Sequence, residues 1–200
     1  MQHIDRGSAQ TDNDGGVVPT YRSLEELVIP NKLLHRNDGD FLLFDSGPGG
    51  GRILLFGAAS NLEALRNAEV WGVDGAFKVR PTLWAQVYTV HAVSDGYCLP
   101  CIYALLHGKS QWAYETMRGQ GREIVGEDAG KRRVLTVDFE RASINAFEAA
   151  FPDSVAAGCY FHLGQSVYRR VQLLGLAGKF GAEDEFKLRV EKLSALAFPP

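Results

Sequence analysis

From residue 41 onward, short apolar runs give way to segments of helical period. Phe41-Leu-Leu-Phe44 and Arg52-Ile-Leu-Leu-Phe56 flank the turn-rich stretch Asp45 to Gly51, which predicts a hairpin. Asn61 is placed to cap a short helix through Asn67, with Leu62 and Leu65 on one face. Glu69 to Val79 reads as a strand through Asp74. After Pro81, Trp84 to Val93 alternates with apolar residues on both faces, the pattern of a mostly buried strand. Ser94-Asp-Gly96 is a turn signal, and Cys98 to Leu106 reads as a third strand. Three strands with short connections predict an antiparallel meander.

The period then changes. Ser110 can cap a helix from Gln111 to about Gly119, and Gly119 to Gly130 is polar and glycine-rich, the composition of a loop. Val134-Leu-Thr-Val137 is a buried strand ending at Asp138. Arg141 to Phe151 is a helix with Ile144, Phe147 and Phe151 on its apolar face, closed by Pro152. Val155 to Phe161 reads as the last strand, Gly164 to Leu176 as a helix, and Ala182 to Ala197 as a final amphipathic helix. This order predicts an α/β protein: a mixed sheet of a three-strand meander plus two parallel strands, with flanking helices. The first meander strand can then lie beside the strand that follows the first long helix, which makes Asp74 and Asp138 neighbours.

Composition narrows the class. The 200 residues are 46% hydrophobic, enough for one domain core, and residues 1–20 are polar and expected to be disordered. The net charge of −3 gives no global basic field for nucleic acid. Lys131-Arg-Arg133 and Arg169-Arg170 are local basic runs, read first as solvated. The three cysteines, with no apolar leader, point to a reducing, intracellular setting. The longest apolar stretch, Tyr97 to Leu106, is too short to span a bilayer and contains Pro100, so no membrane partner is expected.

The candidate chemistry centres on Asp74 and Asp138, 64 positions apart. A carboxylate at the end of a buried strand adds little stability and is well placed to hold a divalent metal. Two-metal phosphoryl transfer needs such carboxylates, and hard oxygen ligands suit Mg²⁺ or Mn²⁺. The plainer readings are that Asp138 caps the next helix and that Asp74-Gly75 is a turn. Cys159 and His162 have a zinc-compatible spacing, and Cys98 and Cys101 would complete a Cys₃His set. Residues three apart on a strand face opposite ways, so buried thiols are the better reading for Cys98 and Cys101. His162, at a predicted strand end, is the better candidate for a polar role. Gly108-Lys-Ser110 lacks the upstream glycine of a phosphate-binding loop, because position 103 is Tyr.

Asp74-Gly-Ala-Phe-Lys-Val79 and Asp138-Phe-Glu-Arg-Ala-Ser-Ile-Asn-Ala146 resemble the first two catalytic segments of the Mutator-like element (MULE) transposases. Phe151-Pro152 and Gly158-Cys-Tyr-Phe-His-Leu-Gly-Gln165 resemble the family's Cys-x-x-His segment, and Lys109 and Tyr114 fit between. The resemblance runs from about Arg52 to the C-terminus, with Ala76 where the family usually has Thr. It implies an RNase H-like fold, a nuclear protein, and metal-dependent cleavage and strand transfer of DNA by an Asp-Asp-Glu triad. Asp74 and Asp138 would be the first two acids and the ligands of Mg²⁺ or Mn²⁺. It also implies a layout of a largely disordered segment 1–40, a leading hairpin and helix 41–68, a transposase core 69–176 and the start of a helical insertion 177–200. The third acid is unknown; Glu183, Asp184 and Glu185 fall where the insertion belongs and do not carry that role. The expectation is therefore a truncated core, inactive alone, with transposon-end and target DNA as partners. Self-association or a missing C-terminal segment would cover a bare sheet face. A non-catalytic module binding DNA or protein is the alternative.

Overall fold

The computed structural model describes residues 21–76, 80–94, 96–126 and 133–197. The expectations for residues 1–20, for 77–79 and for Asp95, Lys131 and Arg132 lie outside the described residues. A short helix α1 (Asn31–Leu34) leads into a two-strand ribbon of β1 (His35–Arg36) and β2 (Gly39–Asp40). The chain continues through β3 (Leu42–Asp45), β4 (Ile53–Phe56), α2 (Ala59–Asn67), β5 (Val70–Ala76), β6 (Gln86–Ser94) and β7 (Tyr97–Leu106). It then passes through α3 (Gln111–Val125), β8 (Val134–Val137), α4 (Arg141–Ala150), β9 (Val155–Gly158), α5 (Tyr160–Leu173), α6 (Ala177–Ala182) and α7 (Asp184–Ala195).

Seven strands form one mixed sheet in the order β3-β4-β7-β6-β5-β8-β9. The β5-β6-β7 meander is antiparallel, and β8 and β9 add to β5 in parallel. The leading hairpin is not a separate unit: β4 pairs antiparallel with β7 and carries the sheet two strands further. Its unbroken apolar run follows from this position, since all four residues of β4 are buried between two covered faces.

One face carries the main core. Trp71 and Val73, Tyr88 and Val90, Ile102 and Ala104, and Leu135 and Val137 lie in one apolar cluster with residues of α2, α3 and α4. On the opposite face, Leu24 and Trp84 cover Leu54 and Phe56 at the β3–β4 side. Towards β8 and β9 that face is open, and Val134 and Val155 are exposed. Helices α5, α6 and α7 pack chiefly on one another.

Several boundaries depart from the sequence expectation, for local reasons. Helix α2 starts at Ala59 rather than after Asn61, and the Asn61 amide instead donates to the Pro100 carbonyl at 2.9 Å. Helix α3 does begin on a Ser110 cap, whose hydroxyl accepts from the Ala113 N–H. It runs through Gly119 and Gly121 to Val125, because burial of Met117, Arg118 and Val125 outweighs the glycines' cost of about 1 kcal/mol each. Gly126 ends it at positive φ. Strand β9 ends at Gly158 and α5 begins at Tyr160, so His162 is helical and not at a strand end. A side chain at Gly158 would meet the Phe139 ring at 3.0 Å, so the chain crosses that ring closely before turning. The predicted last helix is α7, starting at Asp184, and α6 is a further short helix before it that the sequence reading did not give. Arg133 is not a solvated basic residue: it is buried, with its guanidinium 4.4 Å from the Trp71 ring centroid.

Candidate functional site

The pairing of β5 with β8 sets the site. Val70 lies across from Val134, Trp71 from Leu135 and Gly72 from Thr136, a constant offset of 64. The pairing ends at Gly72 and Thr136, and its offset of 64 is the one that separates Asp74 from Asp138 in the chain. Partners across parallel strands share a face, and alternate residues face opposite ways. Trp71, Val73, Leu135 and Val137 go into the core, so Asp74 and Asp138 belong to the other, open face. The apolar alternation of these two strands thus presents both carboxylates at one sheet end.

The third strand brings in the Cys-x-x-His segment. Val137 pairs with Gly158, and the Cys159 N–H donates to the Val137 carbonyl at 2.8 Å. Cys159 is therefore fixed beside the strand end that carries Asp138, and it is the N-cap of α5. One turn into α5, His162 Nε2 stands 3.4 Å from Asp74 Oδ1. The other ring nitrogen, Nδ1, is buried and has no hydrogen-bond partner. Asp74 is half exposed and His162 is mostly covered. The zinc set is not assembled from the other thiols: Cys98 is exposed and Cys101 is buried three residues on.

Around Asp138 the chain makes a tight local turn. Asp138 Oδ1 accepts from the Glu140 N–H at 3.1 Å, which fixes the entry to α4. Asp138 is not the helix cap, since Glu140 holds that position with no side-chain cap bond, and the turn leaves the other Asp138 oxygen for another partner. The Glu140 carboxylate lies 3.6 Å from Lys109 Nζ, joining the start of α4 to the residue before the α3 cap. Tyr114 is fully buried and its hydroxyl accepts from Gln86 Nε2 at 2.9 Å. Burial pushes its phenol pKa up, and the negative charge of Glu140 adds to the rise.

Beneath the acids, on the helical face, lies a polar network. Tyr88 and Ser143 share a 2.6 Å hydrogen bond, and Arg118 Nη2 donates to Ser143 Oγ at 2.9 Å. The Arg118 guanidinium sits 3.7 Å from the centre of the Phe147 ring. Burial lowers the arginine's pKa, opposed by Tyr88, Tyr114 and the charge of Asp138. Sequence reasoning did not find Arg118, whose helical spacing gave no sign of its depth. It also passed over Glu140, whose closeness to Asp138 in the chain was the available signal.

The structure therefore joins His162 to Asp74 and ties Cys159 to the strand that ends just before Asp138, and leaves Cys98 and Cys101 apart in β7. Among the described residues no group of three His, Cys, Asp or Glu side chains stands close enough to hold a metal ion. No described helix is long and apolar enough to cross a membrane. No curated protein matches the chain. The family model for the MULE transposase domain matches residues 70–166, from the first residue of β5 into α5 and across Asp74, Asp138, Cys159 and His162. Residues 70–166 of this chain are a MULE transposase domain.

Proposed function

We propose that the chain contributes the first two acids of a metal-dependent DNA cleavage and strand-transfer centre, with Asp74 and Asp138 as ligands of Mg²⁺ or Mn²⁺. The observation that supports this reading is the parallel pairing of β5 with β8, whose offset of 64 matches the separation of the two acids. An RNase H-like core follows from the family match and agrees with the strand order. The donor set fits a hard cation. Mg²⁺ is commonly held by one or two carboxylates, with water and substrate phosphate oxygens filling its other positions. When bound, such a cation supplies charge neutralisation for the phosphodiester oxygens and a lowered pKa for bound water.

The protein's own contributions are positional. Trp71, Val73, Leu135 and Val137 anchor the strands that hold the acids, and the Glu140 N–H orients one oxygen of Asp138. The buried Arg118 offers a fixed positive charge behind the pair. No third acid joins the pair among the described residues. Metal binding is therefore expected of the chain alone, and DNA nicking is not. That same observation favours the second reading, a non-catalytic module that contacts DNA or protein. Exposed Val134 and Val155 mark a sheet face that self-association or a further segment would cover.

Titration calorimetry with Mn²⁺ tests the metal reading. The wild-type chain is expected to bind weakly, and Asp74→Asn/Asp138→Asn to lose at least ten-fold in affinity. Unchanged binding in the double variant would sink the assignment. Salt-dependent DNA binding without nicking would support the module reading, and indifference to DNA at low salt would remove its DNA form.

A further inference from the structure

The Cys-x-x-His segment has so far only a location. His162 is the side chain that reaches the proposed metal ligand Asp74, at 3.4 Å from Nε2 to Oδ1. A neutral imidazole carries one proton, on one of its two nitrogens, and the other nitrogen is then an acceptor. Nδ1 is buried with neither donor nor acceptor facing it, so it is unsatisfied in either tautomer and leaves the choice to Nε2. Nε2 faces a carboxylate oxygen at 3.4 Å, which attracts a proton on that nitrogen and repels a lone pair. The Nε2 end therefore selects the tautomer, with the proton on Nε2 and the donor aimed at Asp74.

The backbone around the ring is fixed independently. Cys159 is tied to Val137 through its N–H, and His162 follows in the first turn of α5. The His162 carbonyl accepts from Ser166 Oγ at 2.9 Å within the same helix. Asp74 is held on its strand by the antiparallel pairing with Thr89. The 3.4 Å contact thus lies between two anchored backbones, beside a half-exposed carboxylate.

We infer that His162 is a positioning residue for Asp74: its Nε2–H occupies Oδ1 and turns Oδ2 towards the cation. This rests on the metal reading above, and it assigns the histidine the role of an orienting partner to a ligand and not that of a ligand. Orienting partners of this kind typically change metal affinity 10–100-fold when removed.

The test uses the full 200-residue chain with Mn²⁺ as the probe. His162→Ala is expected to weaken Mn²⁺ binding at least ten-fold. His162→Gln, whose amide can place a donor near the Nε2 position, is expected to restore most of it. Long-range ¹H–¹⁵N spectra of the metal-free protein are expected to show His162 with its proton on Nε2. Thermal melts confirm that both variants are folded. Wild-type affinity in His162→Ala would overturn the inference, and so would loss in His162→Ala without rescue in His162→Gln, the pattern of a direct ligand. A proton found on Nδ1 would overturn it without any metal. If the wild-type chain binds no Mn²⁺, the metal reading itself fails, an outcome distinct from all of these.

Discussion

Arg52 ties the N-terminal segment to the sheet, and its replacement by Met should be among the most damaging single changes outside the apolar core. Its guanidinium is nearly fully buried and makes four hydrogen bonds. Nε and Nη2 donate to the two oxygens of Asp45 at 2.9 and 2.6 Å. Nη1 donates to the carbonyls of Leu24 and Leu27 at 3.0 and 2.8 Å. Met keeps much of the stem's volume and removes every donor. Asp45 would retain the Gly47 N–H, and two carbonyls would lose their partner. Removing one member of a buried pair costs about 3–5 kcal/mol. Asp45 is a quarter exposed, which places the pair at the low end, and each abandoned carbonyl adds about 1 kcal/mol. The sum is about 5 kcal/mol, a large share of a typical domain stability of about 5–15 kcal/mol.

At this length a loss of that size lowers the melting temperature by on the order of 10 °C. A pH series adds a second signature. The hydrogen bond from Arg52 holds the Asp45 carboxyl below its usual value. In the acid window the unfolded chain therefore binds more protons than the folded one at this site, and stability rises with pH. The contribution is full above the unfolded carboxyl's pKa and is lost as pH falls through the folded value. Arg52→Met should flatten that part of the profile. Urea and thermal melts followed by circular dichroism measure both effects. A melting temperature within 2 °C of wild type (an estimated ~0.5 kcal/mol or so) would refute the reasoning.

Two further outcomes follow from local packing. Gly57→Ala should destabilise by at least about 1–3 kcal/mol, because the added Cβ would lie 2.7 Å from the Cys101 carbonyl oxygen, a backbone atom; an unchanged urea midpoint would show that the strands yield there. Ser110→Ala should cost about 1 kcal/mol by removing the α3 cap, read from the same urea titration, and no shift would mean that the Ala113 N–H finds another acceptor.

Period and punctuation made much of the fold legible. Strand β8 is found where Val134-Leu-Thr-Val137 predicts it, and the Ser110 cap starts α3 at the expected residue. The neighbouring of β5 and β8 followed from topology alone. The hairpin strands were visible as strands, but their pairing with β7 was not, because an apolar run does not state which edge it joins. Tyr160 and Phe161 read as strand, yet they are exposed in the first turn of α5. That one misreading moved His162 from a strand end to a helix, and so hid its reach to Asp74. Arg118 and Arg133 were illegible for another reason: long basic side chains resemble solvated ones in sequence, and only packing against Phe147 and Trp71 shows otherwise.

The strict alternation along β8 also acts as a proofreading device. A slip of one residue against β5 would turn Leu135 and Val137 outward and carry Thr136 and Asp138 under the helices. Each displaced apolar side chain would lose about 1.5–3 kcal/mol of burial, and an unpaired carboxylate would enter the core at further cost. A misaligned sheet is thus rejected by the same forces that stabilise the correct one. The position of Asp138 at the end of its strand is inherited from two buried side chains, Leu135 and Val137, that take no part in the proposed chemistry.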